Sequence, residues 1–108
     1  MAVLHSGYIS QEQLAAEIEL VKQKFGSEIV RLRYTVRPNM WDDPAIFFRI
    51  VLSDAAARKE TLSEVTEKII WFFFDELHAI ENWGLRPYFN FRSESEQAKR
   101  EGLDPTWA

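Results

Sequence analysis

The chain contains no cysteine, and this absence removes several kinds of chemistry. Disulfide bonds, thiolate nucleophiles, Cys-ligated zinc sites and iron–sulfur clusters are all excluded. Glycine is also scarce, with four residues in 108. The sequence has no Gly-rich phosphate loop, no dinucleotide-binding fingerprint and no Gly-x-Ser-x-Gly elbow, so no cofactor is predicted.

Long hydrophobic runs are missing as well. No segment reaches the roughly 18 apolar residues of a membrane span, and the N-terminus lacks the basic and apolar regions of a secretory signal. Apolar residues nevertheless make up 46% of the chain and aromatic residues 14%, which is enough for a packed core. We therefore expect one cytoplasmic globular domain over residues 1–108, with an arm at 1–9, a tail at 103–108 and no membrane partner.

The charge of the chain is acidic overall but unevenly distributed. Thirteen Lys and Arg residues against seventeen Asp and Glu residues leave a formal charge of -4. Residues 28–59 hold six basic and four acidic residues, so this middle segment is basic within an acidic protein. The overall balance disfavours a general nucleic-acid binder, whose affinity comes mainly from cationic contacts with phosphate.

The first half of the chain predicts a helix followed by two strands. Ser10 and Gln13 form a capping box before apolar residues at helical spacing, which predicts a helix at about 11–25. Apolar and basic residues then alternate over 29–37, a pattern typical of a half-buried strand. A proline-bounded loop leads to a second alternating strand at 45–53.

The second half predicts a long helix at about 62–82, a third strand at about 86–92 and a short charged helix that begins with a capping box at Ser93. The long helix also begins with a capping box, at Thr61, and Gly84 follows it as a stop signal. The element order is therefore α-β-β-α-β-α. We expect an α+β two-layer sandwich in which helices cover one face of an antiparallel or mixed three-stranded sheet.

The long helix carries six consecutive large apolar residues at 69–74, which cannot all share one helix face. At about 100° per residue, one broad face faces the core. The residues predicted on that core face are Leu62, Val65, Ile69, Phe72, Phe73, Leu77 and Ile80. Glu76 also falls within this stripe, where a carboxylate would need a cation or several hydrogen bonds.

Trp71, Phe74 and His78 lie on the opposite side of the predicted helix, at spacing i, i+3, i+7. Exposed aromatic clusters are uncommon on monomers and enriched at interfaces. Two interpretations stay open: another segment of the chain covers these residues, or they bind a protein partner, either foreign or a second copy. Trp41 in its loop and Trp107 near the end are two further candidate anchors, unless they pack against the core.

The outer face of the predicted sheet is rich in arginine. Basic residues around two aromatic rings indicate three alternatives: a solvated or internally paired face, a dock for an acidic protein, or a platform on which RNA bases stack. The residues assigned to this face are Arg31, Arg33, Arg37, Phe47, Arg49, Tyr88 and Arg92.

The functional prediction rests on these surfaces, because the sequence contains no informative motif. No set of residues shows metal-ligand spacing, and no catalytic pattern is present. We expect a small non-enzymatic module that masks or holds a protein partner, as antitoxins, immunity proteins and adaptor subunits do, with homodimerisation also expected. The alternatives are RNA binding on the arginine-rich face and a small enzyme that uses Glu76 or His78 in a shared pocket.

Overall fold

The computed structural model describes residues 9–100 and Trp107, and it confirms the predicted α+β class and element order. The predicted arm at 1–9 and tail at 103–108 lie outside the described residues, apart from Ile9 and Trp107. The elements are α1 (Gln11–Lys24), β1 (Ile29–Pro38), β2 (Pro44–Leu52), α2 (Leu62–Trp71), two π-helical turns (Phe72–Glu76 and Ala79–Trp83), β3 (Arg86–Ser93) and α3 (Glu94–Lys99).

The sheet has the order β1-β2-β3 and is mixed. β1 and β2 form an antiparallel hairpin, whereas β3 runs parallel to β2. A parallel neighbour needs a crossover connection, and the segment from α2 to the second π turn supplies it. β2 is therefore the central strand, and β1 and β3 are the edges.

The core lies on the face of the sheet that the even-numbered residues of β2 share. Ile46, Phe48, Ile50 and Leu52 are all buried there. α1 packs its buried stripe of Leu14, Ile18 and Val21 into the same cluster, and α2 adds Ile69. Burial of apolar surface from both helices on one side of the sheet produces the expected two layers.

β1 departs from the predicted alternation at its start. Val30, predicted to face inward, is 50% exposed, while Ile29 is buried instead. The register shifts between Ile29 and Arg31, which marks a β-bulge. Because of the extra residue, two residues rather than one separate the buried Ile29 from the buried Leu32. From Leu32 onwards every second side chain faces inward as predicted.

Two of the three predicted helix caps are confirmed. The Ser10 and Ser93 hydroxyl groups accept hydrogen bonds from the backbone amides of Gln13 and Glu96, at 3.1 and 3.0 Å. The cap predicted at Thr61 is wrong, because its hydroxyl donates to carbonyl groups of the preceding connector, including that of Ala55 at 3.1 Å. This bond secures the connector before α2.

The prediction of one continuous helix over 62–82 is wrong. α2 ends at Trp71, and the backbone widens into a π turn in which the Leu77 amide donates to the Phe72 carbonyl at 3.0 Å. His78 then adopts left-handed geometry, with φ of 47°. The Asn82 side chain donates to the freed Leu77 carbonyl at 3.1 Å, which stabilises the break.

The break has a packing cause, which is the burial of Trp83. In a continuous helix Ile80 would share the face of Phe73, while Trp83 would lie about 80° away around the axis. In the structure Trp83 is fully buried in edge-to-face contact with Phe73, at 5.8 Å between ring centres, and Ile80 is exposed. The break therefore brings a large aromatic ring into the core, at the cost of one strained residue and of an indole N–H that has no hydrogen-bond partner among the described residues.

Two other assignments on the predicted core face are also wrong. Glu76 is exposed, so it needs no buried cation. Leu62 is also exposed, at the first turn of α2. Val65, Ile69, Phe72, Phe73 and Leu77 do pack in or against the core as expected. No helix in the described part of the chain is long and apolar enough to cross a membrane.

Phe73 and Trp71 are two residues apart, and they provide a matched test of this packing. We expect Phe73→Ala to lower the free energy of unfolding by about 3–5 kcal/mol, because it opens a cavity in the core. We expect Trp71→Ala to change it by less than about 0.5 kcal/mol, because the indole is largely exposed. Urea unfolding measures both, and similar losses for the two variants would contradict the described orientation of the helix.

His78→Gly tests the strain at the break. Glycine adopts positive φ without steric cost, so we expect the free energy of unfolding to stay level or rise by up to ~1 kcal/mol. The matched control is Glu67→Gly at an exposed position of α2, which should lose about 1 kcal/mol. An equal loss at both positions would show that His78 is not strained.

Candidate functional site

The predicted patch of Trp71, Phe74 and His78 is divided in the structure. Trp71 and Phe74 are both exposed, but they line two different grooves on either flank of the helix. His78 lies at the break, is exposed, and lines neither groove. The patch therefore becomes two surfaces, which have different shapes and charges.

The first surface, the Trp71 groove, lies between the end of α1 and the outer side of α2, with a volume of about 680 Å³. Its apolar floor includes Phe25 and Phe72, whose rings meet edge to face at 5.7 Å. Trp71 stands at this groove with 61% of its surface exposed. A large rigid aromatic beside a hydrophobic floor is the usual composition of a binding hot spot.

The rim of the Trp71 groove is acidic. Five carboxylates and two ammonium groups line it, which leaves a net charge of -3: Glu28, Glu64, Glu67, Asp75 and Glu76 against Lys24 and Lys68. Both cations are already engaged, since Lys68 pairs with Glu64 at 3.0 Å and the Lys24 ammonium lies 5.4 Å from the Phe72 ring centre.

Three exposed carboxylates of this rim have no cation within ion-pair distance among the described residues: Glu67, Asp75 and Glu76. All three are exposed, and like charges gathered at one site repel each other. A positively charged partner would relieve that repulsion. Sequence reasoning missed Glu67 and Asp75, although both flank Trp71 at the spacing of one helical turn.

The second surface, the edge groove, runs between α2 and β3 with a volume of about 920 Å³. Phe74 meets Phe89 here edge to face, at 6.2 Å between ring centres. The wall is mainly apolar; its principal residues are Leu62, Thr66, Ile70, Phe74, Phe89 and Phe91. Phe74 is thus part of a groove along a sheet edge rather than an isolated aromatic on a helix.

α3 closes one end of the edge groove, and Asp54 holds it there. The Ser95 hydroxyl donates to Asp54 Oδ2 at 2.6 Å, and the Ser95 amide donates to Oδ1 at 2.9 Å. These two hydrogen bonds stabilise the ionised carboxylate, so they hold the pKa of Asp54 below its ordinary value.

The outer face of the sheet is largely engaged by contacts within the chain. Phe47 and Tyr88 stack with 5.0 Å between ring centres, and the Arg37 guanidinium carbon lies 3.8 Å from the centre of the Phe47 ring. The Asn39 side chain donates to the Tyr88 hydroxyl at 3.1 Å. The Phe47 ring is therefore already engaged by two side chains of its own chain, and a nucleic-acid base would have to compete with them for it.

Trp107 covers one end of this outer face. Its ring is buried with the Arg92 guanidinium 4.0 Å from the ring centre, and its carbonyl accepts a hydrogen bond from Arg31 at 2.8 Å. Arg92 also donates to the Gln97 side chain at 3.1 Å. Val51, which lies between Arg31 and Arg92 in the register, is buried although the alternation of β2 places it on the outer face. Of the two interpretations of Trp107, the structure shows intramolecular packing.

Arg33 and Arg49 complete the predicted basic face. They are directly opposite in the β1–β2 register; Arg33 is exposed and Arg49 is half-buried. The structure thus places the seven assigned residues on one face, but contacts within the chain involve most of them. The internally paired alternative describes these contacts best, and RNA binding, which would have to compete with them, stays a prediction.

The β1–β2 loop presents a third exposed aromatic. Trp41 is 69% exposed and its neighbour Met40 is 84% exposed. The Asn39 side chain accepts from the backbone amides of Trp41 and Asp43, at 2.9 and 3.0 Å, which gives the loop a defined shape. Trp41 lies on neither groove, so its role in binding stays a separate prediction.

The enzyme alternative required a pocket lined by both Glu76 and His78. Both side chains are exposed, and the groove that includes Glu76 does not include His78. The nearest charged partner of His78 is Glu81, with 3.9 Å between Nδ1 and the carboxylate oxygen. This alternative stays a prediction that the geometry of the two residues does not support.

The chain was compared with protein-family models, curated proteins and solved structures. No protein-family model matches the chain, and no curated protein or solved structure matches it either.

Asp54→Asn tests how α3 is held. Because the folded-state pKa of Asp54 is lowered, its contribution to stability is present above its ordinary pKa of 3.8 and is lost as the pH falls through the folded value. We expect the variant to be less stable than the wild type near neutral pH and equal to it at about pH 2.

Urea unfolding at both pH values measures the two differences. Asp43→Asn is the matched control, because no described hydrogen bond or ion pair uses that carboxylate. A deficit for Asp54→Asn that persists unchanged in acid would show that the two hydrogen bonds do not depend on the charge.

Proposed function

We propose that this chain is a small, non-enzymatic protein-binding module of the cytoplasm that holds a positively charged protein partner at the Trp71 groove. It would mask or retain that partner in the manner of an antitoxin, an immunity protein or an adaptor subunit. The observation that carries the proposal is Trp71 itself, exposed between an apolar floor and three carboxylates without cations.

The chemistry of the groove favours a lysine or arginine side chain from the partner. A cation over an indole ring contributes about 0.5–2 kcal/mol, more when water is excluded. Glu67, Asp75 and Glu76 would then pair with further cations at the rim, and charge attraction would accelerate the encounter. The neighbouring rings of Phe25 and Phe72 offer apolar surface for the stem of the same side chain.

The geometry also suits holding better than turnover. The groove is a shallow surface feature on the helical layer, and its carboxylates are exposed. Exposed carboxylates can attract a positive charge. Catalytic acids and bases, in contrast, generally require a water-excluded site of low dielectric constant, which these exposed groups do not have. Binding is therefore the function that these residues support.

The test is capture of partners from native lysate by the wild type and by surface variants, with mass spectrometry. We expect the captured proteins to carry a basic surface. We expect Trp71→Ala to weaken their binding about tenfold or more, and the charge reversals Glu67→Lys and Asp75→Lys to have a similar effect. Binding should also weaken as salt is raised.

Trp41→Ala is the matched control, since this tryptophan is also largely exposed but lies on the hairpin loop. Unfolding curves for all variants check that the fold is retained. Binding that survives Trp71→Ala and both charge reversals, but is lost in Trp41→Ala, would refute the Trp71 groove as the site and assign binding to the loop.

A further inference from the structure

β3 is an edge strand whose stretch from Tyr88 to Phe91 carries neither a proline nor a charge, although Pro87 and the flanking Arg86 and Arg92 limit pairing towards its ends. In the described part of the chain it pairs only with β2. β1, the other edge, has a bulge and exposed arginines, both of which discourage pairing with another strand.

Beside the unpaired backbone groups of β3, the edge groove offers apolar side chains to a docking strand. Phe89 and Phe91 project on the helix side of the strand and are only partly buried, with Phe74 and Ile70 facing them from the helix. A strand added beside β3 would place alternate side chains into this groove. Side chains of the added strand would also cover Leu62, which lines the same groove and is exposed.

We propose that the occupant of this edge is β3 of a second copy of the chain, paired antiparallel about a two-fold axis at Asn90. The axis is perpendicular to the sheet, so both copies keep their helices on the same side and the two sheets join into one of six strands. Such an interface is isologous, with each β3 making the same contacts.

The register follows from the sequence of the strand. With Asn90 on the axis, Phe89 faces Phe91 of the partner subunit, so apolar rings from both copies meet over the edge groove. On the outer side, Tyr88 faces Arg92 of the partner subunit, at positions whose side chains already contact Phe47 and Trp107 within their own chain. At the ends of the paired segment, Arg86, the first residue of β3, faces Glu94 of the partner subunit, the first residue of α3, and their charges are opposite.

Neighbouring registers are less complementary. An axis at Phe89 would place Arg86 opposite Arg92 of the partner subunit, and like charges directly opposite are destabilising. An axis at Phe91 would place Phe89 opposite Ser93 of the partner subunit, which loses the contact between rings. The charge pattern and the ring positions thus select the axis at Asn90.

This dimer goes beyond the function proposed above and is independent of it. Its contacts lie along β3 and the Phe74 flank of α2, whereas Trp71 lies on the other flank and stays exposed. Loss of the dimer and loss of partner binding at Trp71 are therefore separate outcomes, measured on different variants.

The absence of cysteine makes the register directly testable. In Asn90→Cys, the two introduced thiols would face each other across the axis, where opposite Cα atoms are about 4.5–5.5 Å apart and a disulfide is readily formed. We expect mild oxidation to link this variant into dimers about tenfold faster than the control Met40→Cys, which is 84% exposed but lies on the β1–β2 loop, away from the β3 edge.

Light scattering on size exclusion tests the assembly without a cross-link. We expect a dimer for the wild type at about 10–100 µM, and a shift towards monomer for Asn90→Lys, which places two cations opposite each other. Gln23→Lys on α1 adds the same charge away from the edge and should remain dimeric. A monomeric wild type, or cross-linking of Asn90→Cys no faster than that of Met40→Cys, would overturn the proposal.

Discussion

The contact of Phe48 with Phe73 and Trp83 is the constraint on which the rest of the structure depends. Phe48 lies on the central strand, with ring centres 4.6 Å from Phe73 and 6.3 Å from Trp83. Both partner rings belong to the crossover between β2 and β3, so the crossover must turn to bring them together. The break at His78 provides this turn, and β3 then begins directly beside β2.

The break and the crossover also create the two candidate surfaces. A crossover helix that packs one side on the sheet leaves two flanks, and here the flanks differ in chemistry. One faces the edge strand and is mainly apolar around Phe74, while the other faces the end of α1 and is acidic around Trp71. A small domain thereby gains two separate places to bind, one suited to a strand and one suited to a cation.

On the arginine-rich face of the sheet, contacts within the chain reduce the availability of the guanidinium groups to an external ligand. Arginines on a strand predict a surface open to carboxylates or phosphates, and the register does place them together. Arg37 nevertheless stacks on Phe47, while Arg31 and Arg92 hold Trp107. Cation–π contacts within the chain compete directly with an external ligand, so positive charge alone did not identify a binding site.

The sequence by itself determined the hairpin, α1 and the element order, because alternation and helical spacing arise from geometry within a few residues, as at Leu14 and Ile18. Only the tertiary structure decided the helix break, since the gain from burying Trp83 depends on rings that are distant in the chain. It also decided that Trp71 and Phe74 lie on separate surfaces, because β3 approaches only one flank of the helix. Packing energy depends on contacts between residues that are distant in the chain, so a local sequence pattern does not predict it.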